Sequence, residues 1–330
     1  MTGKPEMLLI GPLKPRVVAG LEAVCQVHKA AEAQDRDAFY AVHSGAKAIA
    51  CSATTELISE AFMKRFPKLQ IVSSFGVGYD HIDAKWAGAN GIIVTNTPEV
   101  LTEEVADTAI GLLLCTVREL PQAERHVRAG KWRERNYPLS RATLRNRTVG
   151  MVGMGAIGQA IARRLDAFGV PVVYHTRQPR AGLRYRHYPK LIDMARDVDT
   201  LMVIVPGGAA TQNMIGAEVL DALGADGVVI NMARGSVVDE PALIAALKDK
   251  RIMAAGLDVF AKEPDVPQAL IAMDNVVLLP HVGSASVHTR DQMDQLVVDN
   301  IAAWAAGKPP LTPVAETPWP GSWNRGSAPT

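Results

Sequence analysis

The chain has no apolar run long enough to cross a bilayer: its longest, "AIGLLLCTV" and "VGMVGMGAIG", fall well short of the roughly 20 residues that a spanning helix needs. No membrane partner is expected. Cysteine is scarce. Cys25, Cys51 and Cys115 are an odd, scattered three with no C-x-x-C spacing, so neither a disulfide framework nor a zinc site is indicated, and free, mostly buried thiols and no metal are expected. Charge of either sign is not in excess. The 35 Lys and Arg against 34 Asp and Glu leave a formal +1, and without a basic run nucleic acid is not expected as a partner. The opening "MTGKPEMLLIGPL" shows neither a secretory apolar region nor a small-residue cleavage site, so a cytoplasmic location is expected.

What is present is a long alternation. At 330 residues and 48% hydrophobic, the chain can bury the cores of about two domains. Short β-rich runs, "MLLIG", "AIA", "LQIVSS" and "IIVTN", interleave with helix-period stretches in the first hundred residues. A long helical stretch, "TEEVADTAIGLLLCTVRELPQAERHVRAG", follows, with Thr102 as N-cap and Glu103 and Glu104 suiting the helix dipole. A second series then runs "TVGMVGM", "PVVYHT", "TLMVIVP", "GVVINM", "MAAGLDV" and "VVLLPHV". Such alternation predicts α/β architecture with parallel, doubly wound sheets. A last amphipathic helix spans roughly 287–306, followed by a Pro-rich tail containing Trp319 and Trp323.

Gly153, Gly155 and Gly158 stand at G-x-G-x-x-G spacing, directly after a predicted strand and before a helix. In that context the first glycine permits a tight turn, the second a close approach of backbone to a pyrophosphate, and the third helix–strand packing, with the phosphates at the positive helix end. About twenty residues on, a cofactor with a free ribose 2′-hydroxyl calls for a carboxylate. Here His175, Thr176 and Arg177 stand instead, a guanidinium and hydroxyl suited to a 2′-phosphate. NADPH is therefore expected, with NADH used more weakly.

Three later stretches place polar groups just past buried runs: Arg234 in "NMARGSVVDE", Asp258 and Glu263 in "LDVFAKEPDVP", and His281 in "LLPHVGSAS". Reduction of a 2-keto acid needs an arginine fork for carboxylate and carbonyl and a protonated histidine that gives its proton to the developing alkoxide. A carboxylate beside that histidine favours the imidazolium.

At these residues, and through "SSFGVGYDHID", "NTPEVLTEEVADTAIGLLL", "GMGAIGQAIARRL" and "VPGGAATQNMIG", the sequence resembles the D-isomer-specific 2-hydroxyacid dehydrogenases, of the NADPH-dependent glyoxylate, hydroxypyruvate and hydroxyphenylpyruvate reductase type. The resemblance implies two flavodoxin-like or Rossmann domains with the active site in the cleft between them. Residues 1–100 and 286–330 would form a discontinuous substrate domain, and 101–285 the NADP-binding domain. It implies that Arg234 orients substrate, that Glu263 sustains the protonated histidine, and that His281 is the acid/base. Val77 and Gly78 would hold the substrate carboxylate through backbone amides, with Arg234 and His281 completing substrate binding. Asp258 would receive the nicotinamide carboxamide. Ala156, Ile157, Val205, Pro206, Thr211, Ala233 and Ser284 would add cofactor contacts to those of Gly153, Gly155, Gly158, Thr176 and Arg177.

His81 is expected to be structural, and Arg290 is a candidate to face the cleft. The segment "HVRAGKWRERNYPLSRATLRNRTVG", with Trp132, Tyr137, Pro138 and Leu139 among arginines, is expected to form a homodimer interface through the cofactor domain. Its tip would then help to set substrate size. Two alternatives share the fold: a nucleotide-sensing corepressor, and phosphoglycerate dehydrogenase. Against the second, the loop "CSATTEL" has no Arg or Lys to clamp a phosphate. Glu263, where formate dehydrogenases have Gln, disfavours that activity.

Overall fold

In a computed structural model, described for residues 3–11, 13–52 and 56–321, the chain divides into two compact units. One comprises Met1–Leu101 with Val287–Thr330, the other Thr102–Ser286. Of the residues singled out above, Trp323 and the loop positions Ala53–Thr55 lie outside the described residues.

The first unit is built on a parallel sheet of β1 (Glu6–Leu9), β2 (Gln26–Lys29), β3 (Ala48–Ser52), β4 (Ile71–Phe75) and β5 (Ile93–Thr95). Its order, β2-β1-β3-β4-β5, is the flavodoxin-like doubly wound order. Alternation along β1 shows why both faces are covered. Leu8 and Ile10 join Tyr40, Phe62 and Phe66 in one core. Met7 and Leu9 join Val17, Leu21, Val297 and Ile301 in another, under helices Pro15–Val24 and Val287–Ala305. Period-2 burial on two faces makes β1 an unbroken apolar run in the sequence.

The described part of the Pro-rich tail packs on its own unit, along β5. Thr95 bridges Pro313 in antiparallel sense, Val314 N–H donates to Val94 C=O at 2.9 Å, and Thr317 Oγ1 accepts from Val94 N–H at 2.9 Å. At Gly88 an added Cβ would lie 2.2 Å from the Glu316 carbonyl oxygen, so the tail seats only against a residue without a side chain.

The second unit carries seven parallel strands: β6 (Val149–Val152), β7 (Val172–His175), β8 (Arg186–Tyr188), β9 (Thr200–Val203), β10 (Val228–Asn231), β11 (Ala254–Leu257) and β12 (Val276–Leu278). The order β12-β11-β10-β9-β6-β7-β8 is the classical Rossmann order extended by one strand, with the chain reversing direction of growth between β6 and β9. Two edge strands, β2 ("QVHK") and β8 ("RHY"), were absent from the strands expected of the sequence. Both are polar because an edge strand keeps a face to solvent.

The expected long helix is two, Thr102–Val117 and Leu120–Arg128. Glu119 adopts a left-handed conformation, φ 54°, and Pro121 opens the second helix. Thr102 is itself the first helical residue rather than the cap. Among the described residues no helix is long and apolar enough to cross a membrane. Cys25, Cys51 and Cys115 are free, and burial pushes the Cys51 thiol up to about 12.

Candidate active site

The glycine loop sits at the reversal point of the second sheet. Gly153 has φ +104°, and a Cβ there would meet the Ile204 carbonyl oxygen at 2.5 Å, so the β6 and β9 loops can touch only through a glycine. A Cβ on Gly158 would lie 2.6 Å from the Gly153 carbonyl oxygen, which closes helix Ala156–Ala167 onto the loop. A Cβ on Gly155 meets nothing within 4 Å. There the loop faces open space, directly at the N-terminus of a 12-residue helix. An uncrowded glycine at the positive end of a helix fits a pyrophosphate. Ala156 and Ile157 form the first helical turn. Val205 and Pro206 follow β9, and Thr211 Oγ1 donates to Pro206 C=O at 2.7 Å, tying that loop.

The basic strand end lies beside this loop, since Gly153 N–H donates to His175 C=O at 3.0 Å. His175 Nδ1 is 2.9 Å from Tyr188 C=O, a partner supplied by the unforeseen β8. Thr176 differs from expectation in detail: its hydroxyl donates to Gln178 C=O at 2.6 Å, closing a turn rather than pointing a free donor outward. Arg177 is exposed and makes no hydrogen bond or ion pair with a described residue, which leaves its guanidinium available to an anion.

The loops after β10, β11 and β12 converge on one another. Arg234 directly precedes Gly235, where a Cβ would lie 1.9 Å from the Phe260 carbonyl carbon, so the β10 loop lies flat on the β11 loop only because residue 235 has no side chain. The signal for Gly235 was the glycine next to the arginine in "ARGSVV", which was passed over. Phe260 N–H donates to Glu263 Oε1 at 3.1 Å, and His281 Nδ1 lies 2.7 Å from Glu263 Oε2. Burial pushes the Glu263 carboxyl up, but the His281 hydrogen bond and charge, the Phe260 N–H and the Arg234 charge outweigh it and hold the group below its ordinary value. Glu263 is thus an anion aimed at Nδ1, which directs Nε2 of His281 outward. The His281 and Glu263 side chains are 39% and 27% exposed, open enough to reach a ligand.

His281 is a non-glycine residue at φ 55°, a left-handed conformation that costs about 1–3 kcal/mol and persists only where its surroundings enforce it. Asp258, 2% exposed, enforces it. Its carboxylate accepts from Val282 N–H at 2.7 Å and Gly283 N–H at 2.9 Å, and its carbonyl accepts from His281 N–H at 2.9 Å. This bracing role was not legible in the sequence. Ala233 is buried, with its N–H on Asn231 Oδ1, and Ser284 continues the braced turn.

In the first unit, Val77 and Gly78 follow β4 in a loop whose start is tied to the segment after β5. Gly76 N–H donates to Thr97 Oγ1 at 3.0 Å, and Asn96 Nδ2 donates to Val77 C=O at 2.8 Å. Tyr79, next along, donates to Glu316 of the tail at 3.0 Å. His81 is buried against Ser74 and Cys51, a packing role. Arg290 lies over the Phe75 ring at 5.2 Å. In the second unit Tyr137 donates to Glu119 at 2.9 Å and packs edge-on against His126. Trp132 and Leu139 are 64% and 96% exposed.

Residues 110–283 match the family model described as D-isomer specific 2-hydroxyacid dehydrogenase, NAD binding domain. The chain is 47% identical over 262 residues to glyoxylate/hydroxypyruvate reductase A of Arabidopsis thaliana, covering 79% of this chain and 82% of that one. It is 40% identical over 314 residues to 2-ketogluconate reductase of Gluconobacter oxydans, covering 95% and 100%. Among solved structures it is similar to the NADPH-dependent glyoxylate/hydroxypyruvate reductase of Sinorhizobium meliloti in complex with NADP and malonate, at 53% identity and TM-score 0.90 over 96% of this chain and 98% of that one.

Proposed function

The chain belongs to the D-isomer-specific 2-hydroxyacid dehydrogenases, and on that footing we propose that it is an NADPH-dependent reductase of small 2-keto acids of the glyoxylate and hydroxypyruvate class, yielding the D-2-hydroxy acid. The observation that carries the reading is the Glu263–His281 pair at 2.7 Å, braced by Asp258 and set beside Arg234. Bound reduced nicotinamide supplies the hydride. Arg234 orients the substrate's carboxylate and carbonyl by its fork. His281, its Nδ1 committed to Glu263, gives a proton from Nε2 to the carbonyl oxygen as negative charge develops there. Glu263 stabilises the imidazolium before transfer. Gly155 with the first turn of its helix would hold the cofactor's pyrophosphate.

The exposed Arg177, with no carboxylate at His175 to repel a 2′-phosphate, supports NADPH over NADH. An exposed Trp132 and Leu139 on one segment, with Val127 55% exposed nearby, support a homodimer formed through the cofactor-binding unit. Three free cysteines support a reducing, cytoplasmic setting. The test is a panel of 2-keto acids with each cofactor, followed by loss of reduced-nicotinamide absorbance. Hydroxypyruvate or glyoxylate should be reduced, with kcat/KM at least about tenfold higher for NADPH, equivalent to ~1.4 kcal/mol. Tight cofactor binding without turnover of any keto acid would instead indicate a nucleotide-sensing protein.

A further inference from the structure

We propose that Glu6, His28 and His43 form a binding site for one divalent transition metal ion of the zinc class, on the first unit and separate from the residues assigned to catalysis. The three side chains offer one carboxylate oxygen and two imidazole nitrogens that all lie within 4.8 Å of one another. Two histidines and a glutamate are a ligand set that zinc accepts with a fourth position left to water.

The arrangement follows from the fold. Leu8 of β1 pairs in register with His28 of β2, so Glu6, two residues earlier on β1, shares its face with His28. Helix Arg36–Val42 delivers His43 from its C-terminal end onto that face. The turn that follows is tied back to the strand, since Lys47 N–H donates to Glu6 C=O at 2.9 Å. The two imidazoles stack with centroids 3.8 Å apart and planes 25° from parallel.

Two features of the cluster point to a cation. His28 Nε2 is buried and has no hydrogen-bond partner among the described residues, and its nearest charged neighbour is Glu6 Oε2 at 3.8 Å, too far for a hydrogen bond. A buried polar atom without a partner calls for a specific occupant, and an ion is one. The Glu6 carboxylate, for its part, has no Lys or Arg ion pair among the described residues, while the neighbouring Lys29 pairs with Glu22 and Glu32. Bonds of about 2.1 Å put tetrahedral ligands about 3.4 Å apart, so the two stacked imidazoles must swing out of the stack and turn a nitrogen each towards Glu6 when the ion binds. Bound there, the ion would join β1, β2 and the end of helix Arg36–Val42.

The experiment uses the full chain, stripped with chelator and titrated with zinc by calorimetry and with cobalt by visible absorption. One equivalent should bind, with the intense d–d bands of a four-coordinate cobalt site and a raised Tm. Glu6→Gln and His43→Phe should each weaken binding at least about tenfold, the phenylalanine keeping the aromatic face against which His28 stacks. His281→Ala should bind as the unmodified chain does. The proposal is overturned if no saturable binding occurs by about 100 μM metal, if Glu6→Gln and His43→Phe bind undiminished, or if His281→Ala abolishes the signal.

Discussion

Asp258→Asn replaces a buried carboxylate by an amide of nearly the same shape, and the structure sets the consequence. Both carboxylate oxygens are used, by Val282 N–H and Gly283 N–H; an amide can accept only one of these and turns its NH2 towards the other. Leaving a buried donor without an acceptor costs about 1–3 kcal/mol. The loss of charge does not add to this. Burial outweighs the two N–H bonds and leaves the Asp258 carboxyl raised, so neutralising it relieves a desolvation cost. Global stability should therefore fall modestly, by about 2–6 °C in Tm for roughly 1–2 kcal/mol. The local effect is larger in proportion, because the lost bond matches the ~1–3 kcal/mol strain of a left-handed His281. The turn should relax and His281 should separate from Glu263 in much of the population. We expect kcat for hydroxypyruvate to fall at least about tenfold, with a reduction pH profile that loses its dependence on Glu263, so that Asp258→Asn and Asp258→Asn/Glu263→Gln behave alike. Steady-state kinetics, thermal melts and this double-mutant comparison decide it. An unchanged kcat with an unchanged Tm would refute the bracing role.

Gly235→Ala puts a Cβ 1.9 Å from backbone of residue 260, so it should cost about 3 kcal/mol, the upper end for overpacking, and depress kcat; a melt at the parental Tm would show that the two loops are not in contact. His175→Asp with Arg177→Ala should invert the preference from NADPH to NADH, and equal use of both cofactors by the parent would remove its basis. Glu263 is held below its ordinary 4.5, so its stabilisation is fully present above that value and is lost as pH falls through the lower folded value. Melts of the parent and Glu263→Gln should converge in acid. Trp132→Ala with Leu139→Ala should shift a sedimenting dimer towards monomer at micromolar concentration; a parent that is already monomeric would dismiss the interface.

Much of this was readable from residues, and the gaps have physical causes. β1, β10 and the other central strands are covered on both faces, so they announce themselves as apolar runs. β2 and β8 lie at sheet edges and read as loops, which concealed the partner of His175 and the placement of His28. Arg234, Glu263 and His281 were visible because their chemistry matched a reaction and a resemblance. Gly235 and the bracing by Asp258 were not, since both depend on which backbone atoms of distant loops come into contact. The split of the helix after Val117 escaped because its apolar pattern continues past the break at Glu119. The Tyr137–Glu119 hydrogen bond was hidden as well, since it joins residues that are distant in sequence.

In the proposed mechanism His281, oriented by Glu263, delivers the proton in 2-keto acid reduction. The most direct measurement compares His281→Ala with the parent in kcat for hydroxypyruvate and, separately, in NADPH affinity by fluorescence titration. A fall of roughly 10²–10⁴ in kcat is expected, with cofactor affinity within about twofold. A variant that keeps more than about a tenth of the parental kcat would contradict it.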